Sequence, residues 1–466
     1  MEHLKGNQLS VLIPTDQQRE AIDLWLEKGS LLLHGEVGVG KTLVGVEGLK
    51  KINKPVNLIV APLHTRSGWE RTLKGQLNQE LLHVNRKNKQ GKQYETDILA
   101  GKPGYYFVGR ELFRSIDWHR NKVDAIIIDE CQILSNRKSK TFEAAKKFKR
   151  TKYKMAMSAT PFGNNFQGAW SVTRFLFPEV VDTSFWRFVS DWCTTEYSPY
   201  AYQKITGERV PGSYVKWLPG YIYLSSPYKE KAITKLIDVD LTPTQYKMYK
   251  TLEEEAVAWY EDHPSFVDLP AVLYMRLLQT TLAVPKIETW VDDEGEHRST
   301  ASFPENTRST KTEILLDLLK DIPEDEPLLI YTHSKIFAEY LNNKLLKAKH
   351  KSKVFDSAIT QELIDGLGDD YRILIATQAS IAEGTDGLQR KARYEVWMSF
   401  SDNRIHNQQC AGRLSRQGQE KQVIRYIIRA NNTVETGSQL PRLAVGEETL
   451  NASYNLGKED IENMYS

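Results

Sequence analysis

The sequence predicts an α/β protein of two doubly wound parallel-sheet halves with a break between them. Three observations carry that expectation. Short apolar runs alternate with amphipathic stretches from Leu31 to Pro161. The same rhythm returns after about residue 300. Residues 179–300 lose it and are rich in Trp and Tyr. A continuous apolar run ending in small or polar residues reads as a strand buried on both faces. Such runs alternating with helical patterns read as βαβ units.

Taken in order, the runs of the first half are SLLLHG (30–35), VNLIVAP (56–62), GYYFVG (104–109), VDAIIIDE (123–130) and YKMAMSATP (153–161). Segments 42–51 and 68–82 read as helices between them. The break carries one helical stretch, TPTQYKMYKTLEEEAVAWYED (242–262), and one polar stretch, VDDEGEHRSTASFPENTRST (291–310). In the second half the runs are PLLIYTHS (327–334), SKVFD (352–356), YRILIATQ (371–378), YEVWMSFS (394–401) and VIRYIIR (423–429). The tail beyond Asn432 is turn-rich and then weakly helical. The expected bounds are 1–183 for the first half, 184–300 for a mostly helical protrusion and linker that partly joins the second half, and 301–466 for the second half.

Bulk composition narrows the class. The chain has 466 residues, 40% hydrophobic and 26% charged, with a formal net charge of +2. Attraction to an anionic polymer must then come from local patches rather than overall charge. Three widely spaced cysteines, Cys131, Cys193 and Cys410, argue against a disulfide framework and a zinc ribbon and suit a reducing cytoplasm. No run reaches the roughly 18 apolar residues of a membrane span. The N-terminus has no signal-peptide core. A cytoplasmic protein without a membrane partner is the expectation.

Chemistry begins at Gly35-Glu36-Val37-Gly38-Val39-Gly40-Lys41-Thr42, which fits G-x-x-x-x-G-K-[ST]. Its glycines permit a tight loop whose N–H groups face phosphate oxygens, and the helix N-terminus that follows adds positive potential. Lys41 is expected on the β- and γ-phosphates of ATP and the Thr42 hydroxyl on Mg²⁺. AIIIDECQ then delivers Asp129 and Glu130 at a strand end. Asp129 is expected to hold Mg²⁺, through water, and Glu130 to orient the attacking water. Upstream, Gln18 of PTDQQREAI offers an amide donor and acceptor to an adenine edge. In NQQCAGRLSRQGQ (407–419), Arg413 and Arg416 are three apart and would share a helix face. A guanidinium fork suits charge developing on a γ-phosphate; taken alone, a basic helix face on the surface is the better account of the pair.

Together these stretches resemble superfamily 2 helicase motifs, and more finely the Snf2 (SWI2/SNF2) branch. The resemblance covers about residues 10–435. It rests on Gln18, the phosphate loop, APLHTRSGWERTL with Trp69 and Glu70, DECQILSNRKSKTFEA with Asn136, Ser139 and Lys140, SATPFGNNFQGAWSVTRFLFPE, VDLTPTQYKMY, STKTEILLDLL, and QCAGRLSRQGQ. SAT stands where that family usually has T-G-T, and IATQASIAEGTDGLQ has a spacing of its own.

The resemblance implies two tandem RecA-like lobes with ATP between them. Lobe 1 would supply Lys41, Thr42, Asp129 and Glu130, and lobe 2 would supply Arg413 and Arg416. Ser158, Thr160, Thr377, Gly384 and Gln409 would couple hydrolysis to DNA, with Asp386 near the nucleotide. It also implies a monomeric, DNA-dependent ATPase moving on double-stranded DNA. A chain so compact looks like a member from a bacterium or a virus-infected cell. A strand-separating or branch-remodelling helicase on DNA or RNA, and an ATP-gated binding module, share the same motifs and stay open here. Basic clusters at 83–93, 146–154 and 347–353 could neutralise phosphates or be solvated faces. The aromatic stretch 185–223 could stack on bases, but packing of a protrusion is the preferred reading.

Overall fold

The computed structural model describes residues 12–197, 204–226, 232–262, 271–291, 297–381, 387–416, 418–454 and 464–465. The chain divides into two compact units, 1–227 with 446–461 and 228–445 with 462–466. Each is built on a parallel sheet, so the expected two-sheet α/β fold is what forms.

In the first unit, β1 (Ser30–Gly35), β2 (Val56–Ala61), β3 (Leu81–Val84), β4 (Gly104–Gly109), β5 (Ala125–Asp129), β6 (Tyr153–Ser158) and β9 (Tyr221–Leu224) make one sheet in the order β3-β4-β2-β5-β6-β1-β9. Neighbours throughout are parallel. A separate antiparallel hairpin joins β7 (Cys193–Glu196) to β8 (Lys204–Glu208). Alternate side chains along the strands enter opposite cores. Leu32, Leu58, Ile126 and Ile128 pack on one face; Leu31, Leu33, Ile59 and Ile127 pack on the other. Full burial of each such side chain contributes about 1.5–3 kcal/mol, which is why these strands tolerate no polar alternation.

The helix Asp16–Lys28 is capped by Thr15 and seats Trp25 against the helix Lys41–Ile52. A Cβ at Gly48 would lie 2.5 Å from the Trp25 ring, so only glycine permits that approach.

The second unit has β10 (Ile233–Val239), β13 (Leu328–Thr332), β14 (Ser352–Val354), β15 (Ile373–Thr377), β16 (Tyr394–Trp397) and β17 (Ile424–Ala430), in the order β10-β17-β16-β13-β15-β14. All of these pairs are parallel. A hairpin of β11 (Lys286–Val291) and β12 (His297–Ser302) stands apart from the sheet.

Two buried ion pairs pin this unit. The Arg425 Nε on β17 donates to Glu395 on β16, and both side chains are fully buried. Lys311 donates to both oxygens of Glu435 at 2.8 Å and to the Met398 carbonyl at 2.7 Å, with both partners of the pair 1% exposed. Removing one partner of such a pair strands a desolvated charge, at a cost of about 3–5 kcal/mol. Lys311→Met is therefore expected to lower urea stability by that much, and Lys311→Met with Glu435→Leu to recover most of it. A double variant no more stable than the single one would sink the account.

Sequence and structure differ at several places. Segment 184–300 carries six strands as well as its helices. The helix expected over 68–82 ends at Leu77, because Asn78 turns left-handed at φ 53° and β3 begins at Leu81. Lys154, inside one basic cluster, is buried: its Nζ donates to the Phe175 carbonyl at 3.1 Å, and burial lowers its pKa to about 8. It is a core residue, not a phosphate contact. The aromatic stretch is mostly packing, as preferred: Phe188, Trp192 and Trp217 each pack their rings on the buried Tyr214. Among the described residues no helix is long and apolar enough to cross a membrane.

Candidate active site

Three strands of the first sheet end at the same edge, and their carboxyl ends carry the chemistry, as parallel α/β sheets dictate. β1 runs into the phosphate loop, β5 into Asp129–Glu130, and β6 into Ser158. Register puts His34 beside Ser158 and Asp129 beside Met157.

The loop Gly35–Thr42 is held from several directions. Gly38 and Gly40 take φ of 83° and 78°, which side chains other than glycine rarely adopt. A Cβ on Gly40 would also stand 2.5 Å from the Gln18 amide nitrogen. That nitrogen donates to the Val39 carbonyl at 2.8 Å, while the Gln18 amide oxygen accepts from Thr15 N at 2.9 Å. Gln18 thus braces the loop, with one N–H and one lone pair of its amide left over for a base. Glu36 is gripped by β9 and the residues after it: Tyr223 donates to one carboxylate oxygen at 2.8 Å and Ser226 N to the other at 3.1 Å. Lys41 folds back, its Nζ donating to the carbonyls of Gly35 and Glu36 at 2.8 Å each. Burial lowers the Lys41 pKa, and Glu130, Asp129 and Glu36 oppose that. Arriving phosphates would offer Lys41 better acceptors than two carbonyls.

Asp129 accepts from Trp69 Nε1 at 3.1 Å and from Glu130 N at 2.9 Å. Burial, and then the Glu130 charge, raise its pKa to about 6. Trp69 reaches it because Gly45 leaves room: a Cβ there would lie 2.9 Å from the indole. Glu130 is left-handed, φ 51° and ψ 55°, a strain that non-glycine residues carry mainly at functional positions. Its Oε2 accepts from Gln132 Nε2 at 2.9 Å. Ser158 Oγ lies 2.6 Å from Gln132 Oε1 and 3.1 Å from Glu130 Oε2, and itself accepts from Thr160 N at 3.0 Å. Asp129 and Thr42 are hard oxygen donors, and a cation would relieve the burial and the Glu130 charge that disfavour ionised Asp129; these donors fit Mg²⁺.

His34 is the site's unforeseen member. It is buried; its Nε2 lies 3.1 Å from the Ala159 carbonyl, and its Nδ1 lies 3.0 Å from the Tyr221 hydroxyl. With Nε2–H donating, Nδ1 accepts from Tyr221. Tyr454 packs over the same ring at 4.2 Å and accepts from Phe162 N at 3.0 Å. Burial lowers the His34 pKa to about 3, and burial lowers that of His333 in the second unit to about 4. Both imidazoles are neutral in the fold, so their contribution is intact above pH 6.5. It is lost as pH falls towards 4 and 3, because only the unfolded chain takes up the protons. The loss at pH 4 is on the order of 3 kcal/mol for His34. Thermal melts of wild type and His34→Gln between neutral pH and pH 4.5 check this. The variant, whatever its absolute stability, is expected to lose less with acid, and parallel curves would rule it out.

In the second unit, the helix Arg404–Ala411 carries Gln409 and ends at Gly412. Arg413 and Arg416 therefore sit in the turn beyond it, not on a shared helical face. Both are buried, and Arg416 Nε donates to the Gly412 carbonyl at 2.9 Å. Arg413 lies by the buried Cys410, whose thiol burial pushes up and the guanidinium pulls down. Thr377 ends β15 and its Oγ1 donates to Ser380 at 2.9 Å. Gly384 and Asp386 lie outside the described residues. All three cysteines are free and buried.

The first unit is thus a P-loop nucleotide-binding domain with an acidic strand end. Residues 10–210 match the model of the SNF2-related domain family. Among relatives, an uncharacterized ATP-dependent helicase of Bacillus subtilis, YqhH, is 24% identical over 91% of this chain and 76% of its own length. Chromodomain-helicase-DNA-binding protein 8 of Xenopus tropicalis is 24% identical over 93% of this chain, and protein 7 of that series from Homo sapiens is 22% identical over 94%. This chain spans only 21% and 16% of those two proteins. The SWI2/SNF2 ATPase core of Sulfolobus solfataricus, solved with double-stranded DNA, aligns over 97% of this chain and 95% of its own at 17% identity and a TM-score of 0.40.

Proposed function

We propose that this chain is a DNA-dependent ATPase that moves along double-stranded DNA, working as a monomer in the cytoplasm of a bacterium or an infected cell. The observation that carries it is the wiring of Glu130. The carboxylate that orients water in this reading is hydrogen-bonded to Gln132 and lies within reach of Ser158, at the heads of the loops that follow β5 and β6. A binding module that only senses ATP needs no such arrangement.

In this reading lobe 1 is residues 1–183, a protrusion and linker follow to about 300, and lobe 2 is 301–466. ATP sits at Gly35–Thr42 with its adenine by Gln18 and Mg²⁺ on Thr42 and Asp129. Bound Mg²⁺ screens phosphate charge. Lys41 leaves its two carbonyls for the β- and γ-phosphates, and Glu130 holds the water in line. Arg413 and Arg416 stabilise the charge that develops on the γ-phosphate. Ser158, Thr160, Thr377, Gly384 and Gln409 pass the change to the DNA, with Asp386 near the nucleotide.

The test is ATP turnover without nucleic acid and with single-stranded DNA, duplex DNA, forks and RNA. Stimulation greatest with duplex, together with displacement of a triplex-forming strand, is expected. Fork unwinding without triplex displacement would establish strand separation instead, and turnover indifferent to nucleic acid would leave only an ATP-gated module.

A further inference from the structure

The two loops that leave Glu130 and Ser158 meet again, beyond the nucleotide site, around a concavity of about 420 Å³. Their junction is tight. Ser135 of the first loop lies where a Cβ on Gly163 or Gly168 of the second would stand, at 3.0 Å and 2.7 Å. Ser171 Oγ closes the seam by donating to the Ser135 carbonyl at 3.3 Å. The walls are therefore a fixed extension of the catalytic loops.

The lining has one chemical character. Arg137, Lys138, Asn164, Asn165 and Gln167 converge on the concavity, and among the described residues no carboxylate lines it. Arg137 is held with its guanidinium over the Phe185 ring, 4.3 Å from the centroid. The side chains of Lys138, Asn164, Asn165 and Gln167 make no hydrogen bond or ion pair among the described residues. One cation and three amides without hydrogen-bond partners among the described residues, beside a second cation stacked on Phe185, select an anion bearing several acceptor oxygens. A bare cation would be repelled, and an apolar ligand would strand the amides.

We propose that this concavity grips the sugar-phosphate backbone of one DNA strand. Lys138 and Arg137 neutralise a phosphodiester, and Asn164, Asn165 and Gln167 hydrogen-bond to its oxygens and those of the adjoining sugar. None of the basic clusters visible in the sequence includes these residues. The inference rests on the DNA-motor reading and gives that reading a specific handhold, one whose walls end at Glu130 and Ser158.

The test uses the full chain without nucleotide and a fluorescein-labelled duplex. Anisotropy is followed over roughly 50 to 200 mM salt, where each phosphate neutralised adds about 0.9 to the slope of log affinity against log salt. Lys138 and Asn164 are both exposed, so Lys138→Ala and Asn164→Asp leave the fold in place. Lys138→Ala is expected to reduce the slope by about one. Asn164→Asp, which adds a carboxylate facing the phosphate, is expected to weaken binding roughly tenfold. ATP turnover without DNA is expected to stay at the wild-type level in both. Wild-type affinity and slope in both variants would overturn the proposal and leave the motor reading standing. A wild type that binds no duplex would overturn both the handhold and the motor reading. A wild type that binds duplex but gains no turnover from it, with variants that bind less, would keep the handhold and remove the motor.

Discussion

Glu130→Gln is expected to bind ATP as the wild type does and to hydrolyse it about 10²–10⁴-fold more slowly, the range for losing a positioned base. The structure makes this a clean substitution. Glutamine keeps the length of the side chain, and its amide oxygen can still accept from Gln132 Nε2, now 2.9 Å from Glu130 Oε2. The left-handed backbone at φ 51° is set by the turn into Cys131–Leu134 and does not depend on the carboxylate. What is lost is the negative charge that the proposed mechanism sets beside the attacking water. That charge also raises the pKa of Asp129 and opposes the lowering of that of Lys41. Its removal brings the Asp129 pKa down, so Mg²⁺ binding is expected to extend to slightly lower pH. Fluorescent-nucleotide binding and single-turnover hydrolysis, measured together, decide the matter. Unchanged hydrolysis would take Glu130 out of the reaction. Lost binding would make it a structural residue of the loop.

Much of this site could be read from sequence because its parts are short-range. The phosphate loop, the acidic strand end and SAT each follow a strand buried on both faces, and such strands announce themselves as unbroken apolar runs. The strands that escaped notice are the half-exposed ones. β3, β9 and β10 lie at or next to sheet edges, with side chains that are partly or wholly solvated along most of their length. A run such as YIYL reads as protrusion when its partner, β1, lies some 190 residues earlier. Missing β9 meant missing the grip of Tyr223 and Ser226 on Glu36, because no local pattern links positions so far apart. Trp69 and Gln132 were present in quoted motifs, yet their contacts with Asp129 and with Glu130 follow only from the packing of separate strand ends. His34 had no signal at all: one histidine in an apolar run looks like a tolerated polar residue. The arginines failed differently. A spacing of three fits a helix, but Gly412 ends that helix one residue before Arg413.

That last correction sharpens what each arginine is expected to do. On a common helical face Arg413 and Arg416 would be near-equivalent. In the turn they are not: Arg416 spends its Nε on the Gly412 carbonyl of its own loop, whereas Arg413 lies against Cys410. Arg413→Ala is expected to lower DNA-stimulated turnover about 10³-fold or more, the effect of an arginine finger. Arg413→Lys is expected to restore little, because a point charge on a flexible stem lacks the planar fork. Arg416→Lys is expected to lose turnover through loosening of the turn, and so to lower the melting temperature of the second unit as well. Affinity for duplex without nucleotide should not move in the Arg413 variants, since their role begins only when ATP is present. The decisive comparison is kcat against melting temperature. Turnover near the wild-type level in Arg413→Lys would show that charge alone suffices. Equal losses of stability in the Arg413 and Arg416 variants would show that both arginines serve the turn rather than the phosphate.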